Sequence, residues 1–203
     1  MANHPDRETV FSAAIQAHLE VIQGVEKQQD VLEAIARTMA EALHRGNQIL
    51  WCGNGGSAGD SQHLAAEIVG RFRRERRGLP SIALTTDTSI LTAVANDYGY
   101  EAVFSRQVEA LGREGDVLVG ISTSGNSHNV ICAIEMAKRY GVTTVAFTGK
   151  GGGRMAELAD HLFAVDSRDT ARVQEAHILA GHMICDWVEL GWMAAQGKEA
   201  GVL

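Results

Sequence analysis

The chain has 203 residues, 45% of them hydrophobic and 21% charged, with a formal net charge of -7 at pH 7. These values are typical of one ordinary globular domain, and the negative charge argues against nonspecific binding to nucleic acid or a membrane surface, so we expect neither partner. No apolar segment approaches the ~20 residues that span a bilayer, and the first residues show no signal-peptide pattern, so we expect a cytoplasmic protein.

Two amphipathic helices are predicted before the first strand. Apolar residues recur at spacings of three and four through 10–22 and again through 31–43, and Gly24 and Gly46 fit the two helix ends. Together with a long apolar helix predicted over 170–195, they exceed what a five-stranded sheet needs as cover. We therefore expect the arm 1–46 to take part in the assembly of an oligomer; an extra layer on a monomer is the alternative.

Short apolar segments follow, at 48–52, 81–85, 116–122, 143–148 and 161–165. They are rich in branched residues and apolar at both alternations, which is typical of strands buried on both faces of a parallel sheet. The segments 57–73, 88–112, 127–140 and 152–159 between them have helical length and composition. The sequence predicts an α/β three-layer flavodoxin-like fold, a five-stranded parallel sheet with helices on both faces, as a single domain over 1–203.

Two polar loops each lie between a predicted strand and a predicted helix: GNGGS at 53–57 and STSGNS at 122–127. Glycine-rich backbone and a helix N-terminus favour an anion, and serine hydroxyls add small donors. Neither loop has the lysine of a nucleotide P-loop or the spacing of a dinucleotide fingerprint. If the strand order is 2-1-3-4-5, both loops open into one crevice, and a small phosphate ester would fit there.

Several longer motifs resemble the sugar isomerase (SIS) superfamily, and within it the phosphoheptose isomerases. They are GNGGSAGDSQHLAAE (53–67), TTDTSILTAVANDYGY (85–100), GDVLVGISTSGNS (115–127), FTGKGGG (147–153) and RVQEAHILAGH (172–182), and the likeness covers essentially the whole chain. The resemblance implies a homotetramer with active sites at subunit interfaces. It also implies conversion of sedoheptulose 7-phosphate to D-glycero-D-manno-heptose 7-phosphate, for ADP-heptose and the lipopolysaccharide core.

The resemblance further implies roles for individual residues. One zinc ion per subunit is expected on His63, Glu67, Gln174 and His182, with Glu67 as the catalytic base and His182 as its partner acid. The expected substrate-binding residues are Asn54, Gly55, Gly56, Ser57, Arg71, Asn96, Asp97, Ser122, Thr123, Ser124, Ser127 and Gln174.

The residues agree with this chemistry in part. A ketose–aldose conversion needs a base over one carbon and an acid or Lewis acid at the oxygens, and His63 and Glu67 share one helix face. Gln174 and His182, however, are separated by ~12 Å along one helix. One metal could take both only if the side chains reach toward each other, the helix is irregular, or different subunits supply them. His177 is an alternative ligand.

Other interpretations stay open for single residues. An i, i+4 pair such as His63 and Glu67 is often a surface hydrogen bond, and His182 could be a buried structural histidine. Asp60 is either a helix-surface acid or a site residue, and Asp97 could simply end a helix. The arginines around position 75 (Arg73, Arg74, Arg76 and Arg77) are expected to form a solvated charged turn.

The competing function is that of a non-catalytic SIS relative, the DnaA initiator-associating protein. Its relatives lack the equivalents of Glu67 and His182, and this chain has both, which favours the enzyme.

Overall fold

The computed structural model describes residues 7–197; the ends of the predicted domain, 1–6 and 198–203, lie outside the described residues. The helices are α1 (Arg7–Glu26), α2 (Gln29–His44), α3 (Gly56–Val69), α4 (Thr88–Tyr98), α5 (Ser105–Leu111), α6 (His128–Arg139), α7 (Met155–Leu158) and α8 (Thr170–Ala195). The strands are β1 (Ile49–Gly53), β2 (Ser81–Ala83), β3 (Val117–Ser122), β4 (Thr143–Thr148) and β5 (His161–Ala164).

The strands form one parallel sheet in the order β2-β1-β3-β4-β5. The predicted fold class and strand order are therefore confirmed. Every residue of β1 and β3 is buried, as the apolar alternation indicates for central strands. Because β1 and β3 are neighbours, the loops that follow them leave the same edge of the sheet at its topological switch point.

Two apolar cores cover the two faces of the sheet. Trp51, Phe147 and Phe163 pack on one face against α2, α3 and α8. Leu50 and Phe104 belong to the opposite core, which α5, α6 and α7 complete. The three-layer architecture follows from this division, since neighbouring residues of one strand point to opposite faces.

The two N-terminal helices differ in how they pack. α2 buries its apolar side against the sheet and α8. α1 packs on α8, but its residues Val10, Phe11, Ile15 and Leu19 remain 48% to 61% exposed. An exposed apolar stripe of this kind favours a further protein contact.

Several predicted helix bounds are wrong: the helix expected over 57–73 ends at Val69, and the one expected over 152–159 spans only Met155–Leu158. α1 continues through Gly24 to Glu26, because a single glycine weakens a helix without necessarily ending it. The helix predicted over 88–112 is three pieces, α4, a 3₁₀ turn at Tyr100–Ala102, and α5. Gly99, with φ of 91°, ends α4 in a conformation that other residues rarely adopt. Within the described residues, no helix is both long and apolar enough to cross a membrane.

Candidate active site

The site is built where α3 and α8 run side by side in the same direction. Gly181 of α8 lies against Leu64 of α3 so closely that an added Cβ would come within 2.5 Å of the leucine side chain. The small residue therefore lets the two helices approach, and the next residue, His182, meets His63. Larger side chains at position 181 would push this pair apart.

His63, Glu67 and His182 form a compact cluster. The Nε2 atoms of the two histidines are 2.8 Å apart, and His63 Nε2 is 3.2 Å from Glu67 Oε1. The i, i+4 pair is thus not merely a surface contact, because a third residue from another helix joins it. One ligand atom from each residue lies within 4.8 Å of the others.

The surroundings of His182 favour its neutral form. Phe72 stacks on its ring, with centroids 5.3 Å apart and planes inclined by 20°. Burial lowers the pKa of His182; the neighbouring positive groups His63 and Arg73 lower it further, and Glu67 opposes them. Neutral imidazole is the form that ligates a metal ion.

The donor set of this cluster fits zinc. Two imidazole nitrogens and one carboxylate oxygen are among the usual zinc ligands, and three protein ligands with an open fourth position are typical of catalytic zinc sites. The cluster is partly exposed, so a substrate can reach it.

Gln174, the fourth expected ligand, lies on α8 beside the start of α3, whereas His182 lies further along beside His63. Its amide packs on Gly56, where an added Cβ would come within 2.3 Å of Gln174 Nε2. Gly56 precedes His63 by about 10 Å along the helix axis. Since α8 is one uninterrupted helix over Thr170–Ala195, helix irregularity does not bring Gln174 to His182. Two explanations for a metal shared by Gln174 and His182 therefore stay open: the side chains reach toward each other, or different subunits supply them.

His177 is not an available ligand. It is fully buried beside Phe147 and Phe163, and its Nε2 is 3.0 Å from the Thr148 carbonyl oxygen. The sequence-based alternative is wrong because position 177 of α8 faces the sheet, whereas position 182 faces α3.

The second loop gathers its serine hydroxyls at the start of α6. Ser122 Oγ lies 2.8 Å from Ser127 Oγ and 3.3 Å from Ser124 Oγ. Ser127 precedes α6 without a side-chain cap, and Val130 N donates to Asn129 Oδ1 at 3.0 Å. The N–H groups of His128 and Asn129 are therefore the ones at the start of the helix that can meet an anion. The glycine loop 149–153 supports the second loop, since Gly149 N–H donates to the Thr123 carbonyl oxygen (3.0 Å).

The first loop is tied to the second by side-chain amides. Asn54 and Asn129 exchange two hydrogen bonds, and Tyr100 donates its hydroxyl to Asn54 Oδ1 at 3.1 Å. Sequence reasoning named Asn54 but missed Asn129 and Tyr100. The NSHN pattern at 126–129 offered a weak signal for Asn129, whereas the contact of Tyr100 depends on the turn at Gly99.

The remaining predicted residues lie in the first loop, on α4 and just after α3. Gly55 precedes α3 with φ of 56°, and Ser57 is buried in the first turn. Asn96 and Asp97 are exposed near the end of α4 and bond to each other at 2.8 Å. Arg71 is half exposed and pairs weakly with Glu75 at 3.7 Å.

Asp60, on the second turn of α3, has a shifted titration. Burial raises the pKa of this carboxyl to about 6, against the opposing effect of His63. Its Oδ2 is buried without a hydrogen-bond partner among the described residues. The second interpretation, a residue of the site, therefore suits Asp60 better than a solvated helix-surface acid.

The predicted solvated turn of arginines is partly wrong. Arg74 and Arg76 are only 5% and 9% exposed, since both pair with Glu189 of α8, which is itself fully buried. The sequence alone did not show that Glu189, more than a hundred residues away, supplies the negative charge that pairs with these two arginines. Arg73 and Arg77 are exposed, as expected.

Comparison with known proteins agrees with this fold. A family model of the SIS domain matches residues 11–149. Two similar proteins named phosphoheptose isomerase come from Akkermansia muciniphila and Roseiflexus sp.. The first is 59% identical over 78% of this chain and 84% of its own length, the second 56% identical over 86% and 89%.

A solved phosphoheptose isomerase from Neisseria gonorrhoeae superimposes with a TM-score of 0.87 at 45% identity, covering 91% of this chain and 100% of that one. The fold and the two polar loops define an SIS-domain protein, a sugar-phosphate isomerase. Within that class, the chain belongs to the phosphoheptose isomerase family. The comparisons give no support to the initiator-binding alternative.

Proposed function

We propose that this chain converts sedoheptulose 7-phosphate to D-glycero-D-manno-heptose 7-phosphate, which feeds ADP-heptose and lipopolysaccharide core synthesis. The observation that carries the proposal is the cluster of His63, Glu67 and His182, together with two polar loops that leave the neighbouring strands β1 and β3 at the same edge of the sheet. The names of the similar proteins support the heptose as substrate.

In this proposal the phosphate is bound by the serine-rich loop. Ser122 Oγ lies within 3.3 Å of both Ser124 Oγ and Ser127 Oγ, and the start of α6 adds the N–H groups of His128 and Asn129. A phosphate dianion accepts from both kinds of donor. Anchoring at C7 leaves the other end of the sugar, C1 and C2, free to lie near the cluster.

Glu67 and His182 then move the protons. Glu67 takes the proton from C1 while the protonated form of His182, made a stronger acid by its lowered pKa, gives one to the C2 oxygen, which forms the enediol. His182 next takes the proton of the C1 oxygen, and Glu67 returns its proton to C2, which gives the aldose. His63, Glu67 and His182 would also hold a zinc ion, which would supply a Lewis acid for the developing oxygen charge in place of the proton from His182.

We also infer that the protein acts as a homotetramer, with α1 in a subunit contact. The exposed apolar residues of α1 support this arrangement, since they would be covered. The separation between Gln174 and His182 supports a site shared between subunits, in which Gln174 of one subunit and the cluster of another share substrate or metal.

The proposal is tested by turnover of sedoheptulose 7-phosphate by the purified protein, with a chelator and then with zinc restored. We expect activity that falls on chelation and returns with zinc. Ribulose 5-phosphate serves as a shorter substrate for comparison and should be converted far more slowly. Absence of turnover of the heptose phosphate in the zinc-loaded protein contradicts the proposal.

A further inference from the structure

We propose that Glu189 is a positioning residue for the cluster of His63, Glu67 and His182, acting through segment 70–76. This inference rests on the proposed function for its meaning in catalysis. Its evidence is a set of buried contacts that connect Glu189 to two of the three cluster residues.

Glu189 is a fully buried carboxylate that holds three successive backbone N–H groups. Phe72 N donates to Oε1 at 3.0 Å, and Arg73 N and Arg74 N donate to Oε2 at 2.8 Å each. Consecutive N–H groups that converge on one carboxylate fix the path of the chain, because each donor restricts its own peptide plane. Segment 70–76 therefore has its course set by a residue of α8.

Two arginines balance the charge of this carboxylate. Arg76 Nε lies 3.1 Å from Glu189 Oε1, and Arg74 lies 3.6 Å from Oε2 and also pairs with Asp186. A buried charge without its partners is strongly unfavourable, so the carboxylate and the two guanidinium groups need one another. A neutral side chain at position 189 leaves Arg76 without a carboxylate partner among the described residues.

The first connection to the cluster runs through Phe72. Its backbone is fixed by Glu189, and its ring stacks on His182 at 5.3 Å. The stacking limits rotation of the imidazole and holds Nε2 toward His63. A shift of segment 70–76 thus changes the orientation of His182 without any change on α8.

The second connection runs through Arg76. Its guanidinium donates to the carbonyl oxygens of Glu67 (2.8 Å), Ile68 (2.9 Å) and Gly70 (3.1 Å), which are left over at the end of α3. Glu189 holds Arg76 in place for these bonds. The last turn of α3, which carries the Glu67 carboxylate, is therefore fixed by the same buried charge.

A purely structural role would stabilise the fold and leave the geometry of the cluster alone. The test therefore compares Glu189→Gln with Asp116→Asn. Asp116 is also a buried carboxylate that accepts backbone N–H groups, from Gln48 and Arg113, but it lies at the opposite end of the strands. Both variants lose one buried negative charge with almost no change in volume.

Two readouts are taken at a temperature where circular dichroism shows each variant to be folded. The first is zinc affinity by competition with a chromophoric chelator. The second is the nitrogen-15 spectrum of labelled histidine in the zinc-free protein. We expect Glu189→Gln to weaken zinc binding about tenfold or more, as loss of a supporting residue commonly does, and to shift the His182 signals. Asp116→Asn should change neither readout.

Phe72→Leu keeps every bond of Glu189 and removes only the stacking, so it decides the matter if Glu189→Gln fails to fold. We expect it to shift the His182 signals and to weaken zinc binding. Unchanged signals and unchanged affinity in the folded variants overturn the positioning role. Because the histidine spectrum needs neither zinc nor substrate, failure of the proposed function and failure of this inference give different results.

Discussion

Asn54 and Asn129 form two reciprocal amide hydrogen bonds, 2.8 Å and 2.9 Å long, between the loop after β1 and the first turn of α6. Asn129 Oδ1 also accepts from Val130 N at 3.0 Å, so the pair is fixed to the helix backbone. The two polar loops, which we propose to bind the phosphorylated sugar, are therefore held at a set distance from each other before any substrate arrives. Such preorganisation lowers the cost of binding.

Asn129→Ala should separate the two loops and raise the KM for sedoheptulose 7-phosphate several-fold. Asn129 is 4% exposed, and its loss leaves Asn54 without its partner, which costs about 1–3 kcal/mol of stability. The matched control is Asn47→Ala, which removes amide bonds to Glu114 and Asp116 at the far end of the sheet. Equal KM values for both variants would contradict the role of the pair.

Most of the fold could be predicted because the central strands and α8 carry strong, uninterrupted patterns. The bounds of β4 and α8 agree with the structure to the residue. Segment 88–112 is predicted as one helix although Asp97 offers a possible end, and in the structure α4 ends one residue later, at Tyr98. Its break depends on Gly99, and a single glycine inside a helical pattern leaves that choice open.

From residue spacing, only those contacts of the site that lie within one helix or loop could be predicted. His63 and Glu67 lie on one helix face, and their spacing alone indicates a pair. The approach of His182 to His63 and the burial of Arg76 beside Glu189 depend on contacts between residues more than a hundred positions apart. The spacing of residues along the sequence does not indicate such contacts. The resemblance to known sequences supplied His182, but it gave no sign of Glu189.

Glu67→Gln should lower kcat by about 10²–10⁴-fold, because it removes the proposed base with almost no change in volume. The melting temperature and the oligomeric state should stay close to those of the unaltered chain. Glu33→Gln is the control, since Glu33 is half exposed and pairs only with Arg37 on α2. A variant that keeps most of its activity would show that another group takes the proton.

Ser124→Ala should weaken substrate binding more than it slows the chemical step. Its hydroxyl is exposed, contacts Ser122 and accepts from Asn126 N at 3.1 Å, so the loop loses one donor for phosphate and one internal bond. We expect a KM several-fold higher and a kcat within about threefold of the original, as for lost uniform binding. Ser105→Ala, at the start of α5, is the control. An unchanged KM would exclude Ser124 from phosphate binding.

His177 should make the fold sensitive to acid. Burial lowers the pKa of His177 to about 4 from its usual 6.5, although the Thr148 carbonyl opposes the shift. Between these two values the unfolded chain binds more protons than the folded chain. The free energy of unfolding therefore falls as the pH falls from about 6.5 to about 4.

His177→Gln removes this titration and keeps a donor for the Thr148 carbonyl oxygen. Between pH 7 and pH 5, the unaltered protein should lose about 2 kcal/mol more stability than the variant. The measurement is urea unfolding at both pH values, at equal protein concentration because subunit association contributes to stability. Equal losses in the two proteins would mean that His177 takes up its proton in the folded state as readily as in the unfolded chain, which contradicts the lowered pKa.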